Sequence, residues 1–170
     1  RKINSNNGIY QLTDFYIQFY HDFCSKHTTD EHFWENSINS PKQNTWYGLA
    51  YERLCMAHIP QIKEALGIQR IRTEYYSWRS KESVPAAQVD LIIERADQII
   101  SLCEIKYSKG IYSLDAKEEE RLRNRITDFA VETKVKEAVQ LVLITTYGLK
   151  DNAHSTEVND RVVLDDLFKS

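Results

Sequence analysis

Apolar residues recur along this chain at two spacings, and the switch between them marks its organisation. Tyr16, Phe19, Tyr20 and Phe23 fall three and four apart, as on one helix face, with Thr13 placed to cap that helix. Residues 26–44 are studded with aromatic side chains but show no period, and Ser40-Pro41 predicts a turn. A second helix is expected over 45–58, continued over 61–66 beyond Pro60 and stopped by Gly67 just past its end. Three stretches rich in β-branched and aromatic residues follow, at 70–79, 88–94 and 99–107. Only a polar turn at 95–98 separates the last two, so they should form a hairpin. The longest helical period covers 116–137, with Leu122, Ile126, Phe129, Ala130 and Thr133 on its buried side. The unbroken apolar run at 139–146 is that of a central strand buried on both faces. A further strand is expected at 158–164, then a short helical end at 165–168.

Helix, three strands, helix, two strands is the order of an α/β fold with a mixed sheet. Residues 1–44 read as an N-terminal linker and helical extension, and 45–170 as the α/β domain. At 170 residues such a chain buries roughly 70% of its unfolded surface and needs no disulfide to fold. Eighteen apolar residues never run together, so no membrane-spanning helix is expected. Three widely spaced cysteines, Cys24, Cys55 and Cys103, make no disulfide framework, and a reducing, cytoplasmic setting is expected. The chain begins at Arg1 and its one methionine is Met56, so a piece of a longer protein is expected.

Charge changes the picture only once it is mapped. The net charge of −3, with 22 basic and 25 acidic residues, weighs against a nucleic-acid binder, since phosphate neutralisation needs Lys and Arg. Yet residues 61–100 hold six of each sign and residues 101–140 eight of each, so the excess lies at the two ends. Nucleic acid is not excluded, although this chain alone should bind it weakly.

The loudest chemistry lies in the predicted hairpin. Alternation puts Val89, Leu91 and Ile93 on one face and Gln88, Asp90 and Ile92 on the other, while Glu104 and Lys106, two apart, share a face. A turn centred at Asp97 sets Asp90 directly across from Glu104. Facing residues have Cβ atoms about 5 Å apart, and like charges placed there destabilise the sheet. Partly buried like charges protonate, find a cation or bind a metal. Two carboxylates on a rigid sheet suit a hard divalent ion, Mg²⁺ or Mn²⁺. The alternative is a solvated acidic face with Lys106 as an ordinary ion-pair partner.

Gln88-Val89-Asp90-Leu91-Ile92-Ile93 and Cys103-Glu104-Ile105-Lys106 together resemble the D-x(n)-E-x-K core of the PD-(D/E)XK nuclease superfamily. Glu52, within Trp46-Tyr47-Gly48-Leu49-Ala50-Tyr51-Glu52, resembles the glutamate of the helix before that superfamily's sheet. More narrowly, residues 10–168 resemble the C-terminal region of a prokaryotic AAA-type ATPase family that ends in such a domain. Tyr10-Gln11-Leu12-Thr13-Asp14-Phe15-Tyr16 and Leu143-Ile144-Thr145-Thr146-Tyr147-Gly148-Leu149 carry this narrower likeness. The resemblance implies a three-layer α/β/α restriction-endonuclease-like core of order αβββαβ. It implies a metal held by Asp90 and Glu104, a water positioned by Lys106, help from Glu52, and Gln88 as an accessory. It also implies an ATPase domain in the same full-length protein and nucleic acid, DNA before RNA, as substrate. Val89 stands where the superfamily's name has proline, Ala86 where relatives often have glycine, and Arg125 where they often have lysine.

Lys117, Arg121 and Arg125 recur every four residues on the long helix and could touch phosphates, but Glu118, Glu119 and Glu120 beside them favour a solvated mixed face. Arg70, Arg72, Arg79 and Lys81 form a second basic set with the same ambiguity. His21, Cys24, His27, His32, Cys55 and His58 include two Cys-x-x-His spacings, but no second Cys-x-x-Cys pair completes a zinc site. Trp34, Trp46 and Trp78 are expected in cores.

Overall fold

Asp14 caps the first helix, α1 (Phe15–Phe19): its Oδ1 accepts the Ile17 N–H at 2.8 Å. The computed structural model describes residues 14–25, 30–82 and 86–169, so Thr13, the expected cap, and His27 lie outside the described residues. A π-helical turn, Tyr20–Cys24, follows α1. Of the predicted stripe only half is turned inward: Phe23 is buried and Phe19 partly so, whereas Tyr16 and Tyr20 are exposed. The wider π turn shifts the helix face from the 3.6-residue period. Phe19 and Phe23 meet Trp34, on α2 (Phe33–Asn36), at ring-centroid distances of 5.1 and 5.4 Å, and meet Trp46 at 5.7 and 5.8 Å. The aperiodic aromatic stretch thus supplies a small aromatic core.

Ser40-Pro41 is not a turn but a helix start. Ser40 Oγ accepts the Gln43 N–H at 3.2 Å, and Pro41 opens α3 (Pro41–Ala57), where its missing N–H costs nothing. The chain divides into two compact units between Trp46 and Tyr47, within α3.

In the second unit, α4 (Ile59–Ala65) ends before Gly67, whose φ of +69° is the left-handed conformation expected past a helix end. Gly67→Ala meets no steric clash but forces a Cβ into that conformation, at a cost of about 1 kcal/mol. Urea unfolding should show a lower midpoint with an unchanged slope.

The sheet then forms from β1 (Thr73–Arg79), β2 (Gln88–Arg95) and β3 (Ile99–Lys106). Helix α5 (Ala116–Thr133) follows, capped by Asp115, which accepts the Glu118 N–H at 2.8 Å. It ends four residues before the predicted boundary because Lys134 takes a left-handed C-cap, φ 54°. Last come β4 (Ala138–Thr145), β5 (Val158–Val163) and a 3₁₀ turn, Leu164–Phe168.

Strand order is β1-β2-β3-β4-β5. The first two pairings are antiparallel and the last two parallel, with α5 as the crossover that parallel β3 and β4 require. Leu91, Ile93, Cys103, Ile105, Val142, Ile144 and Val162 pack with Tyr51, Cys55, Ile59 and Ile62 of α3 and α4 on one face. Val89, Ile92, Ile100, Leu102, Leu141 and Leu143 pack with Leu122 and Phe129 of α5 on the other, where Trp78 meets Phe129 edge-on at 5.4 Å. Each such buried side chain contributes roughly 1.5–3 kcal/mol. The fold is a three-layer α/β/α sandwich on a five-stranded mixed sheet. No helix among the described residues is long and apolar enough to cross a membrane.

Candidate functional site: a carboxylate cluster at the fork of the hairpin

The register of β2 on β3 is the predicted one. Leu91 faces Cys103, Ile92 faces Leu102 and Ile93 faces Ser101, so the turn centres at Asp97 and the next positions along are Asp90 and Glu104. The ladder stops at Leu91, and the Asp90 carboxylate accepts the backbone N–H of Ile105. Asp90 thus lies in the opening where the two strands part.

Strict alternation along β2, however, fails. Against β1, Tyr76 pairs with Ile92 but Trp78 with Val89, so Asp90 and Leu91 together oppose Ser77. This β-bulge resets the faces: Val89 packs under α5 with Ile92, whereas Leu91 and Ile93 pack under α3 and α4. Bulges re-aim side chains and end pairing, and this one falls on the acidic residue. The expectation that Val89, Leu91 and Ile93 share a face is therefore corrected.

Glu104, only 2% exposed, points to the α5 side among Ile100 and Leu102. An isolated buried carboxylate is costly, and two cations meet this one. Arg125 Nη1, from α5, bonds Oε2, and Lys106 Nζ, two residues along β3, lies 2.9 Å from Oε1. Lys106 Nζ also lies 3.9 Å from Glu118, whose other oxygen accepts the Tyr112 hydroxyl. The side chains of Lys106 and Arg125 are 24% and 15% exposed, so solvent screens these pairs weakly.

Glu52 approaches from α3. Its carboxyl is pushed up to about 7, first by burial, then by the charges of Asp90 and Glu104, with Lys106 and Arg53 opposing. Asp90 is likewise raised, by burial and then by Glu104, with Arg125 and Lys106 opposing. Three carboxylates from three elements stand within electrostatic reach of one another and of two cations. Between pH 4.5 and about 7 the folded protein keeps a proton on Glu52 that the unfolded chain has released, so stability falls as pH rises through that window. Relative to Glu52→Gln, the wild type should lose on the order of 2 kcal/mol across that range, allowing for partial solvent screening. Thermal melts at stepped pH check this; parallel slopes would take Glu52 out of the cluster.

Gln88 is exposed, pairs with Arg79 across β1, and takes no part in the contacts of Glu52, Asp90 or Glu104 described above. Lys117 and Arg121 are exposed, whereas Arg125, read as their partner on a solvated stripe, turns inward to Glu104. Arg79 ends β1 opposite Gln88, and Arg70, Arg72 and Lys81 flank that strand. Gly48, four residues before Glu52, is not required by packing, since a Cβ there would meet nothing within 4 Å. Cys55 is buried with Tyr51 in the core under α3, and Cys24 is exposed. Sequence reasoning missed Glu118 and Tyr112. In the sequence Glu118 is one of three consecutive glutamates, and only its contacts with the Tyr112 hydroxyl and Lys106 set it apart.

The donor types, carboxylate oxygens of Asp90 and Glu104 on a rigid sheet, are those a hard divalent cation takes, and such an ion relieves their repulsion; it would have to draw the Glu104 oxygens from Arg125 and Lys106. Among the described residues no group of three or more His, Cys, Asp or Glu side chains is assembled as a metal cage. Mg²⁺ does not need one, because it is commonly held by one or two carboxylates, its own waters and substrate phosphate.

No protein-family model matches the chain, and no curated protein matches it in sequence. Among the solved structures similar to it is the crystal structure of a protein of unknown function, AF1548, with 15% identity and a TM-score of 0.46. The match covers 67% of this chain and 64% of that one, less than two thirds of its length.

Proposed function

We propose that this chain is a metal-dependent nuclease domain that hydrolyses phosphodiester bonds of DNA, in a cytoplasmic protein that also carries an AAA-type ATPase domain. What carries the reading is the meeting of Glu52, Asp90 and Glu104, from a helix, a bulged strand and its hairpin partner, beside Lys106. The αβββαβ order and the D…E-x-K spacing agree with the PD-(D/E)XK resemblance. Asp90 and Glu104 would hold Mg²⁺ or Mn²⁺, which when bound polarises the phosphate and makes water acidic. Lys106 sets an ammonium beside that pair, placed to orient a water or to stabilise negative charge on a phosphate. Glu52, titrating near 7, holds or releases a proton at neutral pH, as an acid–base group must.

A second reading has its own observation. Both oxygens of Glu104 are already held, one by Arg125 and one by Lys106, as in a self-neutralised structural cluster. On that reading the domain cuts nothing and regulates the ATPase or binds a partner. Incubation with Mn²⁺ and mixed single- and double-stranded DNA and RNA separates the two. Cleavage of DNA that EDTA abolishes supports the nuclease. No cleavage of any substrate, with tight binding to the ATPase domain, supports the regulatory module.

A further inference from the structure

Beyond the carboxyl ends of parallel β3 and β4 the chain continues as two loops, 107–112 and 146–150, laced together. The Ser108 N–H donates to Thr146 Oγ1 at 3.0 Å, and Thr146 Oγ1 donates to the Ser108 carbonyl at 2.6 Å. The Tyr112 N–H donates to the Gly148 carbonyl at 2.8 Å, and the Lys150 N–H to the Tyr112 carbonyl at 2.7 Å. Gly148, at φ +89°, makes the bend that other residues resist. This end of a parallel sheet is where α/β folds bind ligands, and Lys106 ends β3 there.

A cluster of tyrosines gathers at this end. Tyr47 of α3 stacks on Tyr107, ring centroids 5.2 Å apart and planes 26° from parallel. The Tyr107 hydroxyl is held above its ordinary range by burial first, then by the hydroxyls of Tyr47 and Tyr147. Tyr147, on the second loop, is 60% exposed. Tyr107 directly follows Lys106, and Tyr47 lies five residues before Glu52 on the same helix. The exposed Lys109 and Lys150 sit on the same two loops.

We propose that Tyr147, backed by Tyr107 and Tyr47, forms a stacking platform for unpaired bases, and that the substrate of the neighbouring carboxylates is single-stranded DNA. This rests on the nuclease reading above and names its substrate class. Aromatic faces give affinity only where a base face is free, which a paired and stacked duplex does not offer. A duplex binder would need a broad basic groove instead. The chain, at net −3, brings only a few lysines to this end, so stacking must supply the affinity that charge does not.

The test uses the 170-residue chain in EDTA, with fluorescence anisotropy of a labelled oligothymidine and of a blunt duplex of equal length. The single strand should bind at least about tenfold tighter than the duplex. Tyr147→Ala should weaken single-strand binding about tenfold, whereas Tyr147→Phe, which keeps the ring, should stay within about twofold. Equal affinity for both DNA forms, no binding to either, or an unchanged Tyr147→Ala overturns the platform. Cleavage with Mn²⁺ is scored separately. A wild type that binds single strands through Tyr147 yet cuts nothing keeps the platform and ends the nuclease reading. Cleavage of duplex and single strand alike, untouched by Tyr147→Ala, keeps the nuclease and ends the platform.

Discussion

Asp90→Asn is expected to lower Mn²⁺-dependent DNA cleavage by about 100-fold or more, the scale on which removing one charged group from a polar catalytic site acts, without lowering the melting temperature. The two halves of that expectation come from the same contacts. Asparagine keeps the shape of aspartate and an oxygen that still accepts the Ile105 N–H, so the fork between β2 and β3 stays closed as it is. It removes a charge that burial and Glu104 already disfavour, so folding loses nothing and gains some relief from repulsion. Only a function that needs the ionised carboxylate suffers. Lys106→Met should lower cleavage comparably but also lower stability, because Lys106 holds one oxygen of Glu104. A melting curve beside each cleavage assay separates the two variants. Full activity in Asp90→Asn would remove the metal-site assignment, and a large fall in its melting temperature would show that Asp90 is a structural residue instead.

The parts of this site legible in the sequence are those set by short-range rules. The hairpin register followed from one polar turn between two apolar runs, and the observed pairs Leu91 with Cys103 and Ile92 with Leu102 keep it; the ladder ends one position short of Asp90 and Glu104. Glu104 and Lys106 share a face because β3 is regular, and the structure joins them at 2.9 Å. The bulge was not legible. It arises from the pairing of β2 with β1, where Asp90 and Leu91 together oppose Ser77, and no spacing within β2 reveals how many residues its neighbour supplies. Arg125 was misread for a similar reason. Its place on a helix stripe is local, but which side of α5 meets the sheet depends on how Leu122 and Phe129 seat in the core. At Lys134 the usual sign of a helix end, glycine, is missing, and the helical period of the sequence runs on past the left-handed C-cap. Ser40-Pro41 carries signals for both a turn and a helix start, and only the hydrogen bond from Gln43 decides between them.

Arg125→Met tests what the cluster is for. Glu104 is 2% exposed and shares its charge between Arg125 and Lys106. Removing one partner of a buried ion pair while leaving the other charged costs about 3–5 kcal/mol, which for a domain of this size is a fall in melting temperature of roughly 10 °C. Arg125→Lys should cost less, since it restores the charge without the planar fork. Adding Glu104→Gln to Arg125→Met should recover much of the loss, because the buried carboxylate that lost Arg125 is then neutral and Lys106 keeps Glu118 nearby; a sum of the two single losses would show that the residues do not interact. The informative arm is Mg²⁺. If Asp90 and Glu104 form a cation site, the ion can supply the positive charge that Arg125→Met removes, so Mg²⁺ should stabilise this variant more than the wild type. Arg125 would then hold one oxygen of Glu104 until a metal takes its place. An ion that stabilises neither protein would instead leave Arg125 as the permanent partner of Glu104, the arrangement the regulatory reading requires.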